Sequence, residues 1–271
     1  MESLIFKDCL LLTDIDGTST GANQQIPQRN LDAVRRFCRL GGRFAFATGR
    51  TPKTATKLLR QLEPNAPCVF FNGAEIYDND SDQVLAQTFL PAEADAQLNE
   101  YFERYPECGA LIFTPEGILT ARPNIYIEEH DQITGISSTV IDWADLPADK
   151  YKVLLTAPEE TITEMQDYEA AHPSEYTETC RSWPQYFEFL PKGANKGTAL
   201  VKLRELLGIA PERSFAIGDF DNDLAMLEAA GVSAAPANAV EEAKRIADVV
   251  VCDCEEGALA DFLDYIEHHI L

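Results

Sequence analysis

Short apolar runs, each ending in a polar or glycine-rich step, alternate with longer stretches of helical spacing at both ends of the chain. Cys9 to Thr13 reads as a strand. Gln28–Leu40 carries Leu31, Val34, Phe37 and Cys38 on one helical face, with Pro27 before it and Gly41-Gly42 after it. Arg43–Thr48 predicts a second strand, Thr51–Leu62 a second helix and Cys68–Phe71 a third strand. Alternation on this scale predicts a parallel sheet wrapped by helices.

The pattern then changes. Ala74–Tyr77 and Val84–Phe89 flank the acidic turn Asp78-Asn79-Asp80-Ser81-Asp82, the signature of a hairpin. A helix around Ala92–Tyr105 precedes strands near Ala110–Phe113 and Ile118–Ala121. Periodicity is weak between Pro123 and Pro147. Tyr151–Thr156, the helical stretch Pro158–Ala171, and strands at Glu175–Cys180 and Gln185–Leu190 complete a second α/β unit. From Asn195 the first style returns: helix Lys196–Leu207, strand Ser214–Ile217, helix Asn222–Ala230, short strand Gly231–Ala234, a helix near Ala239–Ile246, strand Asp248–Val251 and a last helix. The expectation is a discontinuous sheet domain, residues 1–81 and 191–271, with a second α/β domain inserted at 82–190.

Composition narrows the partners. The 271 residues carry 22 basic and 45 acidic side chains, a formal charge of −23. Such a surface repels nucleic acid and anionic membranes, so neither is expected as a partner. It also repels phosphorylated metabolites, so a phosphate site here needs local positive charge from a metal, a lysine and backbone N–H groups. Met1 to Lys7 carries no signal-peptide pattern, and no apolar run approaches a membrane span. The seven cysteines are scattered and lack C-x-x-C spacing. These features predict a reduced, cytoplasmic protein; a monomer or weak homodimer is the accompanying expectation, although no sequence feature fixes the oligomeric state.

The chemistry concentrates in two carboxylate clusters, each at the exit of a predicted strand. Asp14-Ile15-Asp16-Gly17-Thr18 follows the first apolar run, and Gly218-Asp219-Phe220-Asp221-Asn222-Asp223 follows a late one. Strand ends of an open α/β sheet are where such folds place their sites. Carboxylates pushed together repel unless a cation sits between them, and Mg²⁺ suits all-oxygen ligands. Calcium loops are excluded: counted from Asp14, Asp78 or Asp219, none has Gly at its sixth and Glu at its twelfth position. Asp14 and Asp16, two apart with Gly17 letting the chain turn, suit a nucleophile and an acid/base.

Asp14-Ile15-Asp16-Gly17-Thr18 resembles the first motif of the haloacid dehalogenase (HAD) superfamily. Phe46-Ala47-Thr48-Gly49-Arg50 is similar to its second, Asn195-Lys196-Gly197 to its third, and Gly218-Asp219 with Asn222-Asp223 to its fourth. All fall in order on the strands and helices assigned above. Phe71-Asn72-Gly73-Ala74, Pro191-Lys192-Gly193 and Asp223-Leu224-Ala225-Met226-Leu227 further resemble the Cof-type phosphatases, whose large class IIB α/β cap falls where this chain has its insertion.

The resemblance implies a Rossmann-like HAD core with an inserted cap, and a Mg²⁺-dependent phosphatase of small phosphorylated metabolites, sugar phosphates foremost. It makes Asp14 the nucleophile that becomes an aspartyl-phosphate, and Asp16 the acid/base. It gives Mg²⁺ to Asp14, the main-chain carbonyl of Asp16 and Asp219, with Asp223 in support. It gives the phosphoryl oxygens to Thr48, Lys196 and Asn222, with Gly49 and Gly197 allowing close backbone approach. Read alone, Thr48 fits a helix cap and Lys196 a solvated first-turn lysine. Arg50 divides between substrate contact and structural pairing, Asn72 between hinge, substrate contact and turn. Asp221 reads as a solvated loop residue, and His268-His269 as an exposed helix end. The insertion offers Arg122, Tyr126, His130, Arg181, Trp183 and Tyr186 for substrate reading, although each suits packing or surface better.

The chain departs from the family pattern at Ser19, at the polar stretch Ser19 to Gln24, at Phe220 and at Ala235-Pro236-Ala237-Asn238-Ala239. Two other functions compete: a sugar-phosphate mutase or phosphotransferase using the same nucleophile, and a catalytically inert phospholigand-binding module.

Overall fold

The computed structural model describes residues 4–21, 24–135 and 137–271. The first three residues of the Met1–Lys7 leader reading, and Ala22 and Asn23 of the polar stretch, lie outside the described residues. The chain divides into two compact units, one formed by Met1–Ala86 with Asn195–Leu271, the other by Gln87–Ala194.

The first unit opens with β1 (Leu10–Thr13), α1 (Gln28–Arg39), β2 (Arg43–Phe46), α2 (Pro52–Leu62) and β3 (Cys68–Phe70), followed by β4 (Glu75–Asp78) and β5 (Gln83–Gln87). β1 is buried at every position, the near-continuous apolar run of a strand covered on both faces. α2 starts at a capping box in which Thr51 and Thr54 satisfy each other's backbone N–H groups, with Pro52 fixing the first turn. The β4–β5 hairpin stays with this unit because β3, β4 and β5 form their own three-stranded sheet.

The second unit carries α3 (Ala94–Arg104), β6 (Gly109–Thr114), β7 (Gly117–Ala121), α4 (Ile125–Thr134), β8 (Thr139–Val140), β9 (Lys152–Thr156), α5 (Glu159–Ala171), β10 (Thr177–Trp183) and β11 (Tyr186–Pro191). Its strands run in the order β10-β11-β9-β6-β7-β8. One sheet face packs Ala110, Ile112, Val153, Leu155, Phe187 and Phe189 against Leu98, Tyr101, Phe102, Ile162 and Met165 of α3 and α5. Period-two alternation puts Lys152 and Glu188 on the opposite face, where they form a buried ion pair at 2.6 Å. The weak periodicity of 123–147 conceals α4. Asn124 caps it through the Ile127 N–H and Gly135 ends it in the left-handed conformation, yet Ile127 is its one buried residue.

The chain then returns with α6 (Lys196–Leu207), β12 (Ser214–Ile217), α7 (Leu224–Ala229), β13 (Val232–Pro236), α8 (Glu241–Ile246), β14 (Val249–Val251) and α9 (Ala258–His269). The helix expected from Asn222 begins instead as one 3₁₀ turn at Asp221–Asp223 before α7. β14-β13-β12-β1-β2 form an all-parallel sheet. The result is a mixed α/β fold with a parallel core and a separate inserted sheet. Among the described residues no helix is long and apolar enough to cross a membrane.

Candidate active site

The parallel register determines what meets at the sheet edge. Thr13 ends β1 level with Phe46 of β2 and Ile217 of β12. The ladder runs one step further, with the Asp14 N–H on the Ile217 carbonyl and the Ala47 N–H on the Thr13 carbonyl, both at 2.9 Å. Asp14, Thr48 and Asp219 therefore leave three neighbouring strands at one carboxyl edge, the position where open α/β sheets bind ligands.

After Asp14 the chain folds tightly back. The Ile15 carbonyl accepts the N–H groups of Ser19 at 3.0 Å and Thr20 at 2.9 Å. Gly17 sits at φ +89°, and a Cβ there would lie 2.4 Å from Asp219 Oδ2, so only glycine fits. Thr18 Oγ1 donates to Asp219 Oδ1. The Asp14 carbonyl accepts Ser19 Oγ at 2.7 Å. Ser19, a departure from the family pattern, is thus a buried tie within the nucleophile turn.

Lys196 is the first residue of α6, behind the Asn195 cap, and it is fully buried. Its Nζ donates to Asp14 Oδ1 at 2.5 Å and to Asp223 Oδ1 at 2.6 Å. The other Asp223 oxygen accepts the N–H groups of Asp219 at 2.9 Å and Phe220 at 3.1 Å. Asp14, Asp219 and Asp223 present carboxylate oxygens within 4.8 Å of one another.

Burial pushes the Asp14 carboxyl up to about 7, and Lys196 offsets this only in part. Asp219 is raised well above the ordinary range by burial, with repulsion from Asp14 and Asp223 adding to it. Burial alone favours neutral Lys196, but attraction to Asp14 and Asp223 outweighs it and holds the ammonium charged. Three acids sharing one lysine, with oxygen donors only, fit a hard divalent cation.

Asp16 lies in different surroundings. Arg50 donates from Nε to Asp16 Oδ2 at 2.8 Å and from Nη2 to Oδ1 at 2.6 Å. Gln24 Nε2 donates to Oδ1 at 2.9 Å, and Arg50 Nη2 donates to Gln24 Oε1. Burial favours the neutral acid, but the Arg50 fork outweighs it and holds Asp16 below the usual carboxylate range. The Asp16 carboxylate is thus held by Arg50 and Gln24 rather than grouped with Asp14, Asp219 and Asp223.

The remaining expected residues form a rim. Thr48 is buried and its Oγ1 accepts the Arg50 N–H at 3.1 Å. Asn72, at φ +55°, donates its N–H to the Thr48 carbonyl at 2.9 Å, and its Oδ1 accepts Asn222 Nδ2 at 3.0 Å. A Cβ on Gly49 would press on the Asn72 amide at 3.1 Å.

Gln24, Thr18 and Asn238 were not assigned to the site from sequence. Asn238 donates to the Gly17 carbonyl at 2.8 Å and accepts the Cys254 N–H at 2.9 Å, while the Val240 N–H holds the Asp219 carbonyl at 3.0 Å. The one sequence signal for Gln24 and Asn238 is that both fall in stretches that depart from the family pattern.

Among the insertion residues, Arg122 donates to the carbonyls of Phe102 at 2.9 Å and Tyr105 at 3.2 Å and stacks on the Phe102 ring at 3.6 Å, a packing role. Arg181 is held by Glu159, Gln166 and the Pro184 carbonyl. His130 contacts Asp131 at 3.3 Å, and burial lowers its basicity. Trp183 is half exposed.

A parallel α/β core carries grouped carboxylates at its carboxyl edge and is interrupted by an inserted α/β unit, and the family match makes the chain a hydrolase. A family model described as haloacid dehalogenase-like hydrolase matches residues 11–263, and the chain belongs to that family. It is 29% identical over 269 residues to 5-amino-6-(5-phospho-D-ribitylamino)uracil phosphatase YitU of Bacillus subtilis, covering 95% of this chain and 97% of that protein. It is also 29% identical to an HMP-PP phosphatase of Serratia proteamaculans, covering 93% of each. Among solved structures, the HAD subclass IIB sugar phosphatase BT4131 shares the fold at a TM-score of 0.85 and 21% identity, covering 96% of this chain and 99% of that one.

Proposed function

We propose that this protein is a Mg²⁺-dependent phosphatase of small phosphorylated metabolites, acting through an aspartyl-phosphate on Asp14. The observation that carries this reading is the Asp14 carboxylate at the sheet edge, 2.5 Å from buried Lys196 and grouped with Asp219 and Asp223, while Asp16 stands apart in its own surroundings. Asp14 Oδ attacks phosphorus and the bond to the ester oxygen breaks. Asp16 gives that oxygen its proton. Asp16 then takes a proton from water, which attacks the phosphorus and releases inorganic phosphate and free Asp14. Thr48, Gly49, Lys196 and Asn222 hold the phosphoryl oxygens, on which charge builds in the transition state.

Asp14, the main-chain carbonyl of Asp16 and Asp219 would hold Mg²⁺, with Asp223 supporting them through its bonds to the Asp219 N–H and Lys196. The ion supplies the positive charge that lets a dianionic ester approach this acidic site. The names of the two curated relatives support a small phosphorylated metabolite as substrate, and the first supports a phosphorylated sugar-alcohol chain, close to the sugar phosphates expected from sequence. The seven free cysteines support a reducing, cytoplasmic setting, and we place the protein there as a monomer or weak homodimer.

The test is phosphate release from a panel of phosphorylated sugars, sugar alcohols, nucleotides and cofactors, with and without Mg²⁺. Wild type and Asp14→Asn are run in parallel. Release that needs Mg²⁺ and disappears in Asp14→Asn is expected. Folded wild-type protein that releases phosphate from nothing in the panel overturns the reading.

A further inference from the structure

Arg50 is the second cation of this site, and in the resting protein it is occupied. Its fork spends two N–H groups on Asp16, and Gln24 clips the pair from the side, giving an N–H to Asp16 and taking one from Arg50. The side chain of Arg50 is 12% exposed and that of Asp16 34%, so the guanidinium is shielded while the carboxylate keeps an open side, and the pair is not a loose surface bridge. A guanidinium fork matches the oxygens of a carboxylate and of a phosphoryl group equally well.

Arg50 also stands on the segment that presents Thr48. The Arg50 N–H bonds Thr48 Oγ1 at 3.1 Å, so hydroxyl and guanidinium issue from one tight turn. Its charge is stabilised by Asp14 as well as by Asp16, which places it in the electrostatic neighbourhood of the nucleophile. Four carboxylates, Asp14, Asp16, Asp219 and Asp223, face two cations, Lys196 and Arg50, in this region. A phosphoryl dianion entering it gains most from a cation that can change partners. Lys196 is fully buried between two carboxylates, whereas Arg50 is the cation at the margin.

We infer that Arg50 is an exchangeable phosphoryl ligand, held at rest by Asp16 and Gln24, and that the phosphoryl group of the substrate displaces the Asp16 carboxylate from it. Binding thereby frees Asp16 to turn to the leaving oxygen, so Asp16 is released only when a phosphoryl group is present. Gln24 acts here as a positioning residue: it stabilises the resting pair and opposes the exchange. This inference rests on the proposed phosphoryl site, and it gives Arg50 and Gln24 opposite effects on the same equilibrium.

Inorganic phosphate titrated calorimetrically into Mg²⁺-loaded protein measures that equilibrium without turnover. Arg50→Ala is expected to weaken phosphate binding by about tenfold or more, the loss of a charge-assisted fork. Arg50→Lys, which keeps the charge without the fork, is expected to fall between, and it serves if the alanine variant does not fold. Gln24→Ala is expected to tighten phosphate binding about threefold to tenfold, since the resting pair loses a hydrogen-bonded partner. Phosphate affinity unchanged in both Arg50 variants overturns the inference and leaves the phosphoryl site standing. Affinity unchanged or weakened in Gln24→Ala overturns it too. Wild-type protein that binds no phosphate removes the phosphoryl site and the exchange together.

Discussion

Replacing Lys196 with methionine keeps the length and apolar body of the side chain and removes only its charge. The ammonium is the sole cation bonded to Asp14 and Asp223 among the described residues, at 2.5 and 2.6 Å, and all three groups are buried. Removing one partner of a buried ion pair costs about 3–5 kcal/mol, and here it leaves three carboxylates within 4.8 Å of one another. For a chain of this size that corresponds to a Tm lowered by about 10 °C in metal-free buffer.

The loss depends on pH, with a definite sign. Asp14 titrates near 7 in the folded protein against an ordinary 3.8, because burial outweighs Lys196. Between those values the folded state holds a proton that the unfolded state has lost, so this group lowers stability as pH rises from about 4 to 7. Without Lys196 the Asp14 carboxyl rises further, and the decline extends above pH 7. The deficit of Lys196→Met against wild type is therefore smallest near pH 5 and largest near pH 8. Mg²⁺ supplies positive charge to the same carboxylates and narrows the deficit. Thermal melts followed by circular dichroism at pH 5, 6.5 and 8, in chelator and in Mg²⁺, read all of this. A deficit equal at every pH and indifferent to Mg²⁺ refutes the electrostatic account of the site. Turnover of the best substrate should fall by at least about 10²-fold.

Two further substitutions probe the loops that carry the carboxylates. Gly17→Ala forces a Cβ to within 2.4 Å of Asp219 Oδ2 at φ +89°. It should cost about 1–3 kcal/mol and raise the Mg²⁺ needed for half-maximal activity; an unchanged Mg²⁺ requirement contradicts the packing. Asn238→Ala removes the bonds to the Gly17 carbonyl and the Cys254 N–H. Its Mg²⁺ requirement should rise about threefold to tenfold, read by metal titration, and a wild-type value would show that Asn238 does not position the turn.

How far the sequence could be read follows from what each signal depends on. β1, β2 and β12 are short apolar runs whose carboxyl ends carry the charged steps, so both the strands and the aspartates at their exits are local features of the sequence. Lys196 was legible as the first residue of a helix, but the solvated lysine that its neighbours suggest is in fact fully buried between Asp14 and Asp223, partners that no local pattern announces. α4 was not legible, because a helix that buries only Ile127 leaves no stripe to count. Gln24 was not legible either. Its function depends on a partner 26 residues away, Arg50, and on a left-handed backbone at φ +58° that no local pattern announces. Arg122 goes the other way: packing is the better reading from sequence, and its guanidinium indeed satisfies backbone carbonyls of its own unit.

The two aspartates of the first motif show why proximity in sequence does not set chemistry. Asp14 is driven up by burial and Asp16 is held down by Arg50, although they are two residues apart. Divergent environments are how one site obtains two roles from one residue type. On the proposed reading each is at rest short of what its task needs: Asp14, with its carboxyl pushed up to about 7, is only partly charged, and Asp16 lacks the proton an acid needs. Each is also corrected by a different ligand. Positive charge among Asp14, Asp219 and Asp223 restores the anion at Asp14, and an anion on Arg50 releases Asp16. The site is then competent only when cation and phosphoryl group are present together, a requirement that separates productive binding of a phosphorylated metabolite from binding of its dephosphorylated counterpart.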